Sequence, residues 1–295
     1  MSSWAVKLKP ANKTTSKPMT NYLGWGAKWA IWGTIAVYFA AQIAVAIVAG
    51  LGTLILGKNN IEKTLSSNAV VNFSITALSA LVMIGLLYVL LKSKKLSLKN
   101  LGFKKPIQSD FAWVIVFGVA YMVLSSILLL LVNLIPGFDA EQQQDIGYKS
   151  VAGWQMIIAF IGLVVVPPLA EEMVFRGYLY RGLSRGWSNR PVIFGGLFIA
   201  VVGGLLTNNY IVSLAITGVI IASIFIATKH TKLAAALFTS AIFGLVHGQW
   251  NVAIDVFVLS LMLIALYEKT NNLWACVALH ALKNGIAFVA LFILK

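Results

Sequence analysis

Cysteine is nearly absent from this chain. A single residue, Cys276, in 295 excludes an internal disulfide and any metal site built from several cysteines. Acids are almost as scarce, with nine Asp and Glu against 23 Lys and Arg, and only 11% of the chain is charged. So little charge cannot coat a soluble domain of this length. There is no internal repeat, coiled coil or low-complexity tract. The polar stretch from Met1 to about Tyr22, with Lys7, Lys9, Lys13 and Lys17, lacks the apolar segment and small-residue cleavage site of a signal peptide, and reads as a cytoplasmic basic tail over 1–24.

What fills the chain is apolar: 59% hydrophobic residues and a mean hydropathy of +0.86. The reading is an all-α, polytopic transmembrane bundle in a plasma membrane, its composition suiting a bacterial one. The net charge of +14 does not indicate nucleic acid, because Lys and Arg fall in short clusters between apolar runs, as in cytoplasmic loops facing anionic lipid. The bilayer is the expected partner, and oligomeric state is not legible.

Apolar runs long enough to cross about 30 Å of hydrocarbon recur along the chain, giving eight to nine spans. N-terminal helices occupy 25–135, as runs from about Trp25 to Leu56, Ala69 to Leu91 and Phe111 to Ile135. Between the last two lies the densest basic loop (Lys92, Lys94, Lys95, Lys99, Lys104, Lys105), and after them an acidic loop with Asp139, Glu141 and Asp145. A second block, 153–295, starts with a run from about Gly153 to Leu183 that ends among Arg181, Arg185 and Arg190. A hairpin follows, Pro191–Leu206 and Ile211–Thr228 joined through Thr207-Asn208-Asn209. Three more runs follow, Leu233–Gln249, Val252–Tyr267 and Leu273–Leu294. Every basic loop then falls on one side, with the N-terminus inside and the C-terminus outside.

The polar groups within these spans that bear on chemistry are few: Glu171, Glu172, Arg176, His247, Asp255, His280, Lys283 and Asn284. A charge at mid-span costs about 2.5–3.5 kcal/mol even on lenient insertion scales, so such groups mark function or a partner. Residues four apart share a helix face, which brings Glu172 to Arg176, Phe243 to His247 and His280 to Asn284. Glu171 points about 100° away from Glu172. Pro167-Pro168 removes two backbone donors just upstream, leaving carbonyls that must face protein or a water-filled cavity. Rise per residue lets Glu171, His247, His280 and Asn284 meet at one depth.

An acid, two imidazoles and an amide at one depth suit hydrolysis. The carboxylate takes a proton from water, one histidine orients that water, and the other histidine with the amide stabilises an oxyanion. Equally, Glu171, His247 and His280 are a zinc set with an open fourth position. Spacing does not choose between them, so the cofactor is none or Zn. Cys276, one turn before His280, permits a Cys–His nucleophilic pair, although a thiol in a membrane helix is ordinary packing.

Three motifs carry a family resemblance. Glu171-Glu172-Met173-Val174-Phe175-Arg176 fits Glu-Glu-x-x-x-Arg, Phe243-Gly244-Leu245-Val246-His247 fits Phe-x-x-x-His, and His280-Ala281-Leu282-Lys283-Asn284 fits His-x-x-x-Asn. In that order, on separate spans, they resemble the CPBP intramembrane proteases (CAAX proteases and bacteriocin-processing enzymes), or Abi family. The resemblance covers about Trp154 to Ala287. It implies an endopeptidase acting on peptides or lipidated peptides, in CAAX-type processing or in bacteriocin maturation and self-immunity. Glu171 would activate water, with His247 as its partner, His280 and Asn284 at the oxyanion, and Glu172, Arg176 and Phe243 in support. Members are described both as metalloproteases and as glutamate proteases. The interval between the first two motifs exceeds the family pattern by about the 191–228 hairpin. The competing class is a non-catalytic immunity or scaffold protein, or a transporter using the same polar residues as a substrate or proton path.

Overall fold

The computed structural model describes residues 24–60, 64, 68–134, 151–207, 210–248 and 250–294. The basic tail up to residue 23, the acidic loop with Asp139, Glu141 and Asp145, and Asn208-Asn209 lie outside the described residues. No strand occurs among the described residues, and nine long helical segments run through them: α1 Ala27–Leu56, α2 Ala69–Ser93, α3 Gln108–Val132, α4 Gln155–Arg185, α5 Asn189–Thr207, α6 Tyr210–Ala227, α7 Thr231–Leu245, α8 Trp250–Thr270 and α9 Leu273–Phe292. Five of these (α1, α2, α3, α4, α9) are long and apolar enough to cross a membrane, and apolar stretches of α5, α6 and α7 are shorter. Large apolar side chains such as Ile55, Phe111, Ile115 and Leu130 stand exposed around the bundle, as a surface facing lipid tails requires. The chain is an all-α integral membrane protein.

The segments alternate in direction, and hydrogen bonds lace their basic loops together at one end. Leu273 N donates to Gly102 O at 3.0 Å, Ala27 N to Gly186 O at 2.9 Å, and Arg181 Nη1 to Asn100 O at 2.5 Å. Lys232 pairs with Glu268 at the same end. Gly102 takes φ +104, a left-handed conformation that suits glycine. Its carbonyl thereby caps the start of α9.

α4 is the centre, packing against α1, α2, α7, α8 and α9. From Ala170 to Leu183 almost every residue is buried, so this helix faces protein all round. Its geometry departs from a regular α-helix, with π-helical turns at Ile161–Val165 and Met173–Tyr180 flanking the proline pair. For the first turn, the prolines remove the donors it would need. The carbonyl of Leu163 would ordinarily accept from the residue four or five positions on, and those are Pro167 and Pro168, which have no N–H. Gly162 lets this irregular stretch press on α2, since a Cβ there would sit 2.5 Å from the Phe73 carbonyl oxygen. The α5–α6 hairpin packs on α1 and α7 beside this core.

Candidate active site

Glu171 and Glu172 occupy different surroundings. Glu172 is fully buried, and its Oε1 accepts from Arg176 Nη1 at 2.8 Å and from His280 Nδ1 at 2.8 Å. The guanidinium lies 4.2 Å from the centre of the Phe243 ring, so Arg176 meets a carboxylate and an aromatic face, each favourable to a desolvated cation. Phe243 also packs edge-on to Phe175, His247 and His280. Phe243 is the hub of the cluster.

Glu171 has a side chain 25% exposed and looks into a cavity of about 230 Å³. Tyr38 and Gln42 of α1, Thr76 and Ser79 of α2, Pro167 and Phe175 of α4, and Val246 and His247 line that cavity too. His280 presents its second ring nitrogen, Nε2, 3.7 Å from Glu171 Oε2. His280 therefore stands between the two carboxylates. Its Nδ1 faces the buried acid and its Nε2 the acid that lines the cavity.

His247 follows the end of α7, and its Nδ1 lies 2.7 Å from the Phe243 carbonyl. A carbonyl only accepts, so Nδ1 holds the hydrogen and Nε2 of the neutral ring is left with a lone pair. Asn284 does not line the cavity. Its Nδ2 donates to Leu163 O at 2.9 Å, answering the carbonyl that the prolines leave without a helical donor. The second N–H of the amide remains to be given.

Glu171, His247 and His280 are the side chains the sequence offers to zinc. Among the described residues no three His, Cys, Asp or Glu side chains converge closely enough to hold a metal ion. His280 and His247 each give Nδ1 to a partner, Glu172 and the Phe243 carbonyl, and keep Nε2, as a metal-binding histidine also does, so it is the spacing of the three groups alone that sets them apart from a ligand set.

Other polar residues in the spans go elsewhere. The thiol of Cys276 is buried and donates to Leu263 O at 3.3 Å rather than to His280. Asp255 Oδ1 accepts from Tyr121 Oη at 2.7 Å and from Ser125 Oγ, and its Oδ2 lies 3.6 Å from Lys283 Nζ. Sequence reasoning missed the wall contributed by α1 and α2. Tyr38, whose hydroxyl donates to Val246 O at 3.1 Å, carries no motif. Gln42, an amide inside the first apolar run, was the one available signal.

Comparison with known proteins gives one result. The family model for Type II CAAX prenyl endopeptidase Rce1-like matches residues 153–237 and 225–286. No curated protein and no solved structure matches the chain. The matched region takes in α4 to α9 as far as Ile286, and with it all three motifs. The stretch that carries Glu171, Glu172, Arg176, Phe243, His247, His280 and Asn284 is thus the part of this membrane protein that is similar to the Rce1-like type II CAAX prenyl endopeptidases, in accord with the CPBP resemblance.

Proposed function

We propose that the chain is an endopeptidase that hydrolyses a peptide bond of a peptide or prenylated peptide within the membrane, using water activated by Glu171 without a metal ion. One observation carries this reading: Glu171 and His247 line one cavity, while His280 joins Glu171 to a fully buried Glu172–Arg176 pair. Glu171 takes a proton from water as the oxygen attacks the scissile carbonyl carbon. His247, through the lone pair on Nε2, holds the second hydrogen of that water. The oxyanion of the tetrahedral intermediate forms on the His280 side; because Nδ1 gives its hydrogen to Glu172, Nε2 donates to the oxyanion as the second N–H of an imidazolium held between the two carboxylates. The proton held by Glu171 passes to the leaving amine as the C–N bond breaks. Glu172 and Arg176 touch no reacting atom. They are positioning residues that fix the ring of His280.

The test uses purified protein in detergent and quenched-fluorescence peptides, with and without a prenylated cysteine. Cleavage should fall about 10²–10⁴-fold in Glu171→Gln, the range for loss of a general base, and comparably in His247→Ala. Activity should persist after exhaustive chelation. Cleavage unchanged by both substitutions overturns the site, and cleavage that needs a stoichiometric metal overturns the mechanism.

A further inference from the structure

The cavity of Glu171 and His247 has unlike surroundings at its two ends. Toward the basic end it is closed. A Cβ on Gly33 of α1 would stand 2.8 Å from the Tyr178 ring and 2.9 Å from Leu90 of α2, so the helices that wall the cavity touch there. Ile31, Leu87, Phe175 and Tyr178 around that contact are fully buried. Away from the basic end the cavity is open, since Gln42 and Thr76, which line it, are exposed. Polarity along α2 changes at the same place. Asn68, Asn72, Thr76 and Ser79 follow one another at spacings of four and three, which puts them on one face of the helix, and Asn68 caps its start by accepting from Val71 N at 3.2 Å. Past Ser79, toward the basic end, that face continues as Met83, Leu87 and Leu90. On α1 the half-buried residues beyond Gln42 are Val45, Ala49, Gly52 and Thr53, none larger than valine. A polar row inside a membrane span belongs where it faces protein or water rather than lipid tails. This one runs from the far end of α2 to the cavity and stops there.

We infer that the Asn68–Asn72–Thr76–Ser79 face of α2 is the route by which water reaches Glu171, so that the site is entered from the membrane face opposite the basic end. The inference rests on the reading of Glu171 as the acid that activates water, and it gives that site a side. Each hydrolysis consumes a water molecule, which a site inside the bilayer has to replace from one face or the other. At the rise of an α-helix Thr76 lies about 10 Å and Ser79 about 15 Å from the start of α2, and over that distance the row offers amides and hydroxyls. From the basic end water would have to cross the contact of Gly33 with Tyr178 and Leu90. A peptide bond has the same way in, because the other end is shut. The substrate is therefore a segment of polypeptide exposed at the face opposite the basic end.

The test places cysteines in the full chain carrying Glu171→Gln, reconstituted in sealed vesicles in both orientations. Thr76→Cys and Ser79→Cys lie in the row, Leu78→Cys lies at the same depth on the exposed side of α2, and Lys99→Cys lies in the basic loop. The native Cys276 is buried. The probe is a charged, membrane-impermeant methanethiosulfonate, which reacts with the thiolate, a species that forms in water and not in lipid. Thr76→Cys and Ser79→Cys should react at least about tenfold faster than Leu78→Cys. In a chain with both Thr76→Cys and Lys99→Cys, reagent added outside should label each molecule at one cysteine or the other and never at both. A row that reacts no faster than Leu78→Cys, or molecules labelled at both positions from one side, overturns the route. For the substrate, Glu171 is restored and a quenched-fluorescence peptide is added outside. Prior modification of Thr76→Cys from outside should abolish its cleavage, because the molecules that admit the peptide are the ones modified. Cleavage that survives comes from molecules of the other orientation and overturns entry from this face. Selective labelling of the row without any cleavage by wild type sustains the route and removes the peptidase reading. Glu171-dependent cleavage without that labelling overturns the route alone.

Discussion

At the scale of single residues, two neighbouring glutamates with the same chemistry have opposite consequences when removed. Glu172 neutralises a guanidinium that is itself fully buried, so Glu172→Ala leaves an uncompensated charge in the bundle. Breaking such a pair costs about 3–5 kcal/mol, and a thermal melt in detergent should show a large loss of stability. Glu171 is partly exposed to its cavity, and its contact with His280 Nε2, at 3.7 Å, is longer than a hydrogen bond. Glu171→Gln should melt within about 0.5 kcal/mol of wild type, as substitutions away from a buried network do, while its cleavage collapses. An equal loss of stability in both variants would contradict the division. Phe243 belongs with Glu172, since its face receives Arg176. Phe243→Leu keeps the site apolar with a somewhat smaller side chain and removes the π face, a loss of about 2 kcal/mol for a desolvated cation, and Phe243→Tyr restores most of it.

At the scale of elements, the irregularity of α4 and the amide of α9 form one device. Pro167 and Pro168 deprive Leu163 O of a helical donor, and Asn284 supplies one across the helix interface. Asn284→Leu should cost about 1 kcal/mol, the low end of the penalty for a carbonyl left unsatisfied, since Leu163 is only partly buried. Pro167→Ala returns an N–H to the helix and relieves that dependence. In a double-mutant cycle the pair should therefore couple by about 1 kcal/mol, within the range for residues sharing one network. Additive losses would show that Asn284 does not serve the proline gap. Much of this was legible in the sequence. Period and length of the apolar runs gave the helices to within a few residues, i, i+4 spacing joined Glu172 to Arg176, and the proline pair announced carbonyls in need of donors. The π-helical turns were not legible: the first adjoins both the prolines and Gly162, packed on Phe73, and nothing in the run Met173–Tyr180 marks the second. Nor was the link from Glu172 to His280, or the wall of the cavity from Tyr38, Gln42 and Thr76. Contacts between residues a hundred positions apart leave no period in a sequence, and a tyrosine in an apolar span looks the same whether it meets lipid or lines a site.

At the scale of the whole molecule, alternation of direction and the lacing of loops at one end fix the parity of the chain. α1 starts and α9 starts at the basic end, so α9 finishes at the opposite face. Lys92, Lys94, Lys95, Lys99, Lys104, Arg185 and Lys229 all lie in segments joined at that basic end, and the positive-inside rule predicts that this end faces the cytoplasm. A reporter fused after residue 295 should therefore signal from the far side of the membrane, and one inserted at Lys229 in the α6–α7 turn from the cytoplasm. The hairpin makes this a discriminating measurement. Deleting α5 and α6 together removes two spans and keeps the parity, so the C-terminal signal should not change side. Deleting α5 alone should invert everything after it or abolish insertion, because the Arg181–Asn100 and Leu273–Gly102 bonds require the ends of α4 and α9 at one face. A cytoplasmic C-terminal signal from the intact chain would mean that one of the shorter apolar segments does not cross. The candidate depth shared by Glu171, His247 and His280 would then have to be rebuilt.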